Sequence, residues 1–219
     1  MIRLKLAVIV IGGVMAFFGF QEYRVSSGAG DRPLDVELEE ISAGSDMDNP
    51  YIKIGKHVCV NEEAVSQYEQ DASGNSNASS KVDFTYIPLI PVDHPLYVAV
   101  KKFESGPPGI TEKDIPALDS YSVLLHTTRY KTLGDLDNVT DSLSEHASVE
   151  GMVTNKIKSL TSEEKKYLGE SFPGLDLDKL IILEEGRTPT SAGGSLGLMA
   201  GGALLIVGGL FSMVASSKR

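Results

Sequence analysis

YIKIGKHVCV, residues 51 to 60, alternates side chains with the two-residue period of a β-strand. Ile52, Ile54, Val58 and Val60 fall on one face, and Lys53, His57 and Cys59 fall on the other. The stretch reads as a half-buried strand, with Gly55 beside Lys56 as the place for a bulge. Downstream, VDFTYIPLI, LYVAVKKF and YSVLLHTTRY are strand-like too, rich in β-branched and aromatic residues and bounded by Pro, Gly and Asp. DASGNSNASS, Asp71 to Ser80, has no apolar residue beyond Ala and reads as a hairpin tip.

Helical signals are fewer. Leu34 to Glu37 reads as a strand leading into a short helical turn, and Thr111 caps EKDI, which Pro116 stops. In TSEEKKYLGESF, Thr161 and Glu164 have the spacing of a capping box, Leu168 and Phe172 can face a core, and Pro173-Gly174 ends the helix. This helix lies between SVEGMV and DKLIILE, an arrangement that predicts a right-handed parallel crossover. The apolar run Leu180 to Leu183 fits a strand covered on both faces. The fold class expected is α+β: a mixed β-sheet domain with one main covering helix, flanked by two transmembrane helices.

Those two helices come from the ends of the chain. Leu6 to Phe20 is wholly apolar, and Leu196 to Ala215 has no charge and only Ser212 as a polar side chain, about the length that crosses roughly 30 Å of hydrocarbon. After the first run, QEYRVSS intervenes before any cluster of small residues, which favours a retained anchor over a cleaved signal. Arg3 and Lys5 precede the first span and Lys218 and Arg219 follow the second, so both termini are expected on the cytoplasmic side, with the domain periplasmic or extracellular. The partition expected is a cytoplasmic N-terminus (1–5), an anchor (6–21), a linker (22–33), an exported domain (34–185), a second linker (186–193), a transmembrane helix (194–215) and a cytoplasmic C-terminus (216–219).

All 30 acidic residues lie between the spans, and the chain carries a formal net charge of −10. Nucleic acid is therefore not an expected partner, since phosphate binding needs a basic patch. Gly193 to Gly197 matches G-x-S-x-G, the turn that carries a hydrolase serine, but no His follows Ser195, so the match is read as the start of a span. His57 and Cys59 share a strand face and are the nearest thing to a metal pair; His94, His126 and His146 are too scattered in the sequence to complete one. Three Asp-x-Asp pairs occur, Asp46/Asp48, Asp135/Asp137 and Asp176/Asp178, and Asp135 with Asp137 in GDLDNVTD is the closest to a calcium loop. None supplies the remaining ligands, and solvation or capping explains all three. No cofactor and no catalytic residue is expected.

Small residues mark the spans instead. Gly193, Gly197 and Gly201 recur every four residues, Gly208 and Ser212 repeat the spacing, and Gly12 with Ala16 offers a counterpart in the first span. The function expected is a two-pass membrane protein that displays an acidic domain in an interaction, assembly or scaffold role, with another membrane protein or its own copy as partner. The alternatives are a membrane-bound enzyme built from scattered His and Asp or Glu, and a calcium or small-ligand sensor.

Overall fold

The computed structural model describes residues 2–44, 47–106, 111–119, 121–155, 160–172, 175–177 and 179–217. Asp46, Asp178, the Pro173-Gly174 stop and the Lys218-Arg219 flank lie outside the described residues. In chain order the elements are α1 (Ile2–Ser26), β1 (Leu34–Val36), α2 (Leu38–Ser42), β2 (Tyr51–Ile54), β3 (His57–Val60), β4 (Val65–Tyr68), β5 (Val82–Pro91), α3 (Pro95–Glu104), β6 (Val123–Thr127), α4 (Leu133–Asp137), β7 (Leu143–His146), β8 (Val149–Val153), α5 (Ser162–Ser171), β9 (Ile181–Glu185) and α6 (Ala192–Ser217). They form two units, Arg32–Arg187 and the terminal segments Met1–Asp31 with Thr188–Arg219.

The Arg32–Arg187 unit is a mixed sheet that curls back on itself. Strands β2 and β3 are one run of chain turned at Gly55-Lys56, and β7 and β8 are another turned at Ala147-Ser148. The two runs pair antiparallel in one register, with Tyr51 opposite Met152, Ile54 opposite Val149, His57 opposite His146 and Val60 opposite Leu143. From β3 the pairing passes antiparallel to β5 and then to β6, parallel to β9, and antiparallel to β8, which belongs to the run where the circuit closes. Strands β1 and β4 extend the margins, on β2 and β5 respectively. The ring thus has five runs, the third of them parallel to the fifth.

The α+β class and the mixed sheet stand, but the crossover does not. Strands β8 and β9 pair antiparallel, and the parallel neighbour of β9 is β6. Spacing along a sequence measures the length of a connection and not its direction; β9 enters the gap between β8 and β6 and runs with β6.

The turn at Gly55-Lys56 also changes which residues face inward. Ile52 and Ile54 lie in the interior cluster with Cys59, whereas Val58 and Val60 belong to an outer cluster under α3. Gly55-Lys56 lies opposite Ala147-Ser148 with no residue inserted, so the expected bulge is absent; both runs turn there and the inward positions pass from even to odd numbers, which corrects the expectation of one apolar face along the whole stretch. Inside, Ile52, Ile54, Cys59, Ile87, Leu89, Val123, Leu125, Val153 and Leu183 are each at most 1% exposed, and Leu38 and Ile41 of α2 join them. Among the described residues these side chains form the interior core.

Two ten-residue helices cover the outside where one was expected. Helix α5 starts at the expected capping box, with Glu164 N–H donating to Thr161 Oγ1 at 3.2 Å and Thr161 N–H donating to the Glu164 carboxylate at 2.7 Å. Its Leu168 packs with Tyr86, Leu124, Phe172 and Ile182. Helix α3 contains all of LYVAVKKF, so the strand expected there is corrected. The stretch fits both periods, because Leu96, Tyr97 and Val100 also fall at helical spacing. Pro95 at the first helical position decides the matter, with His94 Nδ1 accepting the Leu96 N–H at 3.2 Å. Leu180 to Leu183 is buried throughout, as its apolar run implied.

In the terminal unit α1 and α6 lie antiparallel, and both are long and apolar enough to cross a membrane, over Arg3–Ser26 and Gly193–Met213. Their contact is close. A Cβ on Gly202 would stand 2.5 Å from the Gly12 carbonyl oxygen and 2.6 Å from the Ala16 nitrogen, and one on Gly209 would stand 2.5 Å from Ile9 Cγ1. Lys5 Nζ donates to the Ser212 carbonyl at 2.6 Å, and Thr190 donates to Glu22 at 2.6 Å. Away from this seam Val10, Phe17, Leu204, Val207 and Phe211 are each more than half exposed.

Candidate functional site

His57 and Cys59 do share a face, but it is the inside of the barrel, where each is 1% exposed. His57 Nδ1 donates to the Gly55 carbonyl at 2.8 Å, and its ring stacks on His146 at 5.6 Å between centroids. Burial pushes the Cys59 thiol up to about 11. A thiol so placed stays protonated at neutral pH and out of reach. Treatment of the native chain with a thiol reagent at pH 7.5 is expected to leave Cys59 unmodified, with full reaction after denaturation; rapid labelling of the folded protein would contradict its position.

Asp135 serves a turn. One of its carboxylate oxygens accepts the Lys131 and Thr132 N–H groups at 2.8 and 2.9 Å, which holds its pKa below the ordinary range. Asp137 is the exposed last residue of α4. Among the described residues no group of three His, Cys, Asp or Glu could hold a metal ion. Ser195 is fully buried, and its hydroxyl contacts the Ser191 carbonyl at 3.5 Å, so it is not presented to a substrate.

The small residues divide. Gly12 and Ala16 stand at the helix seam, Ser212 contributes its carbonyl, and a Cβ on Gly201 would touch only Met15, at 3.8 Å. Gly193, Gly197 and Gly208 would meet nothing within 4 Å. The glycines in close contact are Gly12 and Gly19 on α1 with Gly202 and Gly209 on α6, each pair spaced by seven residues instead of four. A seven-residue step returns to nearly the same side of a helix after two turns, which keeps a long seam in line.

Chemistry-bearing side chains converge on the outer face of β5, β6 and β9. Tyr86 is the register partner of His126 and His126 that of Glu184, so the three stand in a row across three strands. A cleft of about 220 Å³ lies over them, lined also by Asn155, Glu164 and Arg187. Arg187 Nη1 donates to Glu184 at 2.7 Å. Asn155 is a structural clip: its amide oxygen accepts the Ile182 N–H at 2.9 Å and its amide nitrogen donates to the Leu180 carbonyl. Phe84 lies 4.9 Å from the His126 ring and 5.2 Å from Tyr86, centroid to centroid. Burial and then the Glu164 charge push the Tyr86 phenol up to about 12, while burial draws His126 below the ordinary imidazole value against the pull of Glu184. At neutral pH the cleft therefore presents a phenolic hydroxyl and a neutral imidazole. The sequence separates these residues widely, and only strand pairing assembles them. The one early sign was alternation in β6, which sets His126 opposite the core face of Leu125 and Thr127.

A second hollow, of about 300 Å³, is bordered by Asn61, Ile87, Tyr130 and Asp141. Asn61 is held there by the Asp141 carbonyl and Ser144 Oγ at 2.9 and 2.7 Å.

The two lowered histidines set a pH dependence. His57 is lowered chiefly by burial, as His126 is, so the unfolded chain takes up protons first as pH falls. Stability from these groups is whole above about pH 6.5 and is lost as pH drops toward the folded values, by at most about 1.4 kcal/mol per pH unit for each. The lowered carboxyls of Asp114, Asp135 and Glu145 act in the same direction further down the acid range. Urea unfolding is expected to show a less stable protein at pH 5.5 than at 7.5, with a flatter slope in H57Q; an unchanged slope in that variant would remove His57 from the account.

No protein-family model, no curated protein and no solved structure matches this chain.

Proposed function

We propose that this chain is a two-span membrane protein that displays its barrel as an interaction module for another membrane protein or for a second copy of itself. The observation that carries this is the surface of the α1–α6 pair. Its helices bury small residues against each other and turn Val10, Phe17, Leu204, Val207 and Phe211 outward. Such a surface is unfavourable in water and suits lipid or another apolar helix. The basic flanks at both ends set the termini in the cytoplasm and the barrel across the membrane. The apolar core inside the barrel supports recognition on the outer surface, by side chains around the ring.

Purification of the full chain in mild detergent tests this. Recovery with a stoichiometric partner, or as a defined oligomer, is expected; a monomer with nothing bound, or an aqueous chain that needs no detergent, would overturn it. A membrane-bound enzyme is the second reading, favoured by the convergence of His126, Glu164 and Glu184 on one cleft. Glu184 is tied to Arg187, and neither ring nitrogen of His126 is oriented by a hydrogen bond from the described residues. Those two features favour binding over catalysis.

A further inference from the structure

We infer that the barrel corner at Gly55-Lys56 and Ala147-Ser148 is a hinge worked by protons: on acidification the His57–His146 pair parts, the corner end of β3 loosens from β7, and water reaches the interior as far as Cys59. Both runs of chain turn at this corner, and its four residues lie outside the strands, between the pairs Ile54–Val149 and His57–His146. His57 is therefore the end rung of β3 on β7. It is the end rung on β5 as well, opposite Pro91, whose carbonyl accepts the His94 N–H at 3.1 Å. A strand end with its last rung on both sides next to an unpaired turn is a place where a ladder opens locally, ahead of the sheet as a whole.

The side chains at this rung respond to protons. The two imidazoles stack with their planes 19° apart, His57 on the inside and His146 half-buried beside it. Among the described residues neither is paired with a carboxylate. Burial opposes a charge on His57, and the charges of His146 and Arg129 oppose it too. Glu185 pulls the other way, but it accepts Arg129 Nη2 and Nε at 2.8 and 3.2 Å, and Thr127 Oγ1 besides. The Cys59 thiol and the Tyr130 phenol are both pushed up by burial and carry no charge at neutral pH, and β5 presents Leu89 and Pro91. Glu37 lays its carboxylate against Gly55, where an added Cβ would stand 2.8 Å from either oxygen, and is not paired with the ring. A proton on His57 is thus resisted while the corner is closed and accepted at the ordinary imidazole value once water reaches the ring. Each pH unit below about 6.5 then favours the open corner by up to about tenfold.

Two clasps keep the opening local. On the outer face Glu145 accepts Lys56 Nζ and the Tyr97 hydroxyl at 2.6 Å each, and these bonds hold its carboxyl below the ordinary range, so the clasp stands where histidine titrates. Lysine has a flexible four-carbon stem that follows the strands as they part. Inside, the Thr127 and Arg129 bonds to Glu185 tie the end of β6 to the end of β9. Val58 and Val60, on the opposite side of β3 from His57, pack under Leu96 and Tyr97, so movement of the corner also changes the seat of α3.

The thiol of Cys59 reports the opening. Its reaction with 4,4′-dithiodipyridine, a reagent active in acid, is followed on the full chain in detergent micelles at pH 7.5 and 5.5, each rate divided by that of N-acetylcysteine in the same buffer. A rise of about tenfold at pH 5.5 is expected, with none in His57→Gln and a smaller one in His146→Gln. Because His146 is half-buried, H146Q keeps the test open if H57Q does not accumulate. Hydrogen exchange of the same samples, corrected for the intrinsic effect of pH, should speed up in β3 and β7 and hold steady in β6 and β9. No rise in the wild type, or a full rise in H57Q or in H146Q, would overturn the histidine hinge. Exchange that rises equally in β6 and β9 would make the event a loosening of the whole barrel, and the hinge would fall on that result too.

Discussion

Gly151→Ala is expected to destabilise the barrel by about 3 kcal/mol or more, at or beyond the upper end for overpacked sites. Gly151 lies in β8, opposite Ile52 on one side and Glu185 on the other. A Cβ added there would run into the Glu184 carbonyl oxygen and carbon, and also stand 3.3 Å from Leu183 Cδ1. The obstacle is backbone in the neighbouring strand, which cannot turn aside as a flexible side chain can. Relief would require β8 and β9 to separate at a closing seam of the ring. Thermal unfolding of the full chain in detergent, or its abundance in membranes, reads the effect. Gly169→Ala is the matched control: it lies in α5, its added Cβ would meet only Leu177 at 3.9 Å, and alanine there should stabilise by about 0.5–1 kcal/mol. Equal tolerance of both changes would mean that β8 and β9 are not so close.

Gly202→Ile is expected to separate the two apolar helices, and Gly197→Ile to leave them together. The first would drive a branched side chain into the Gly12 carbonyl and the Ala16 backbone, whereas the second meets nothing within 4 Å. Association in lipid lacks a hydrophobic drive, so close backbone approach is the main source of attraction, and its loss is felt directly. An overpacking cost of about 1–3 kcal/mol against this weak attraction should broaden the distance distribution between spin labels at Val10 and Leu204. Both sites are more than half exposed, and the buried Cys59 should not take up label. A broad distribution in G197I with a narrow one in G202I would mean that the four-residue ridge, and not the seam at Gly202, joins the helices.

These two glycine tests show how far local reading reaches. The two apolar helices, the capping box at Thr161 and the buried run Leu180 to Leu183 were all legible, because each depends on residues close together in the chain. Glycine spacing marked the second span as a packing helix, yet it pointed to Gly193, Gly197 and Gly208, and the contact is at Gly202 and Gly209. Several glycine rows run along that helix, and only the partner chooses among them.

What the sequence by itself determined is the kind of element most segments form: apolar helices at both ends, and between them a mixed α+β domain of alternating strands, with LYVAVKKF the exception because it fits both periods. Tertiary structure alone decided the rest. Strand direction at β9 and the inward turn of His57 and Cys59 follow from closing the ring and covering it, since a two-residue period is blind to which neighbour a strand meets. The row Tyr86, His126 and Glu184 exists only through register between β5, β6 and β9. The raised pKa of its Tyr86 phenol arises from burial first and then from the nearby Glu164 charge, a property of packing that no local pattern encodes.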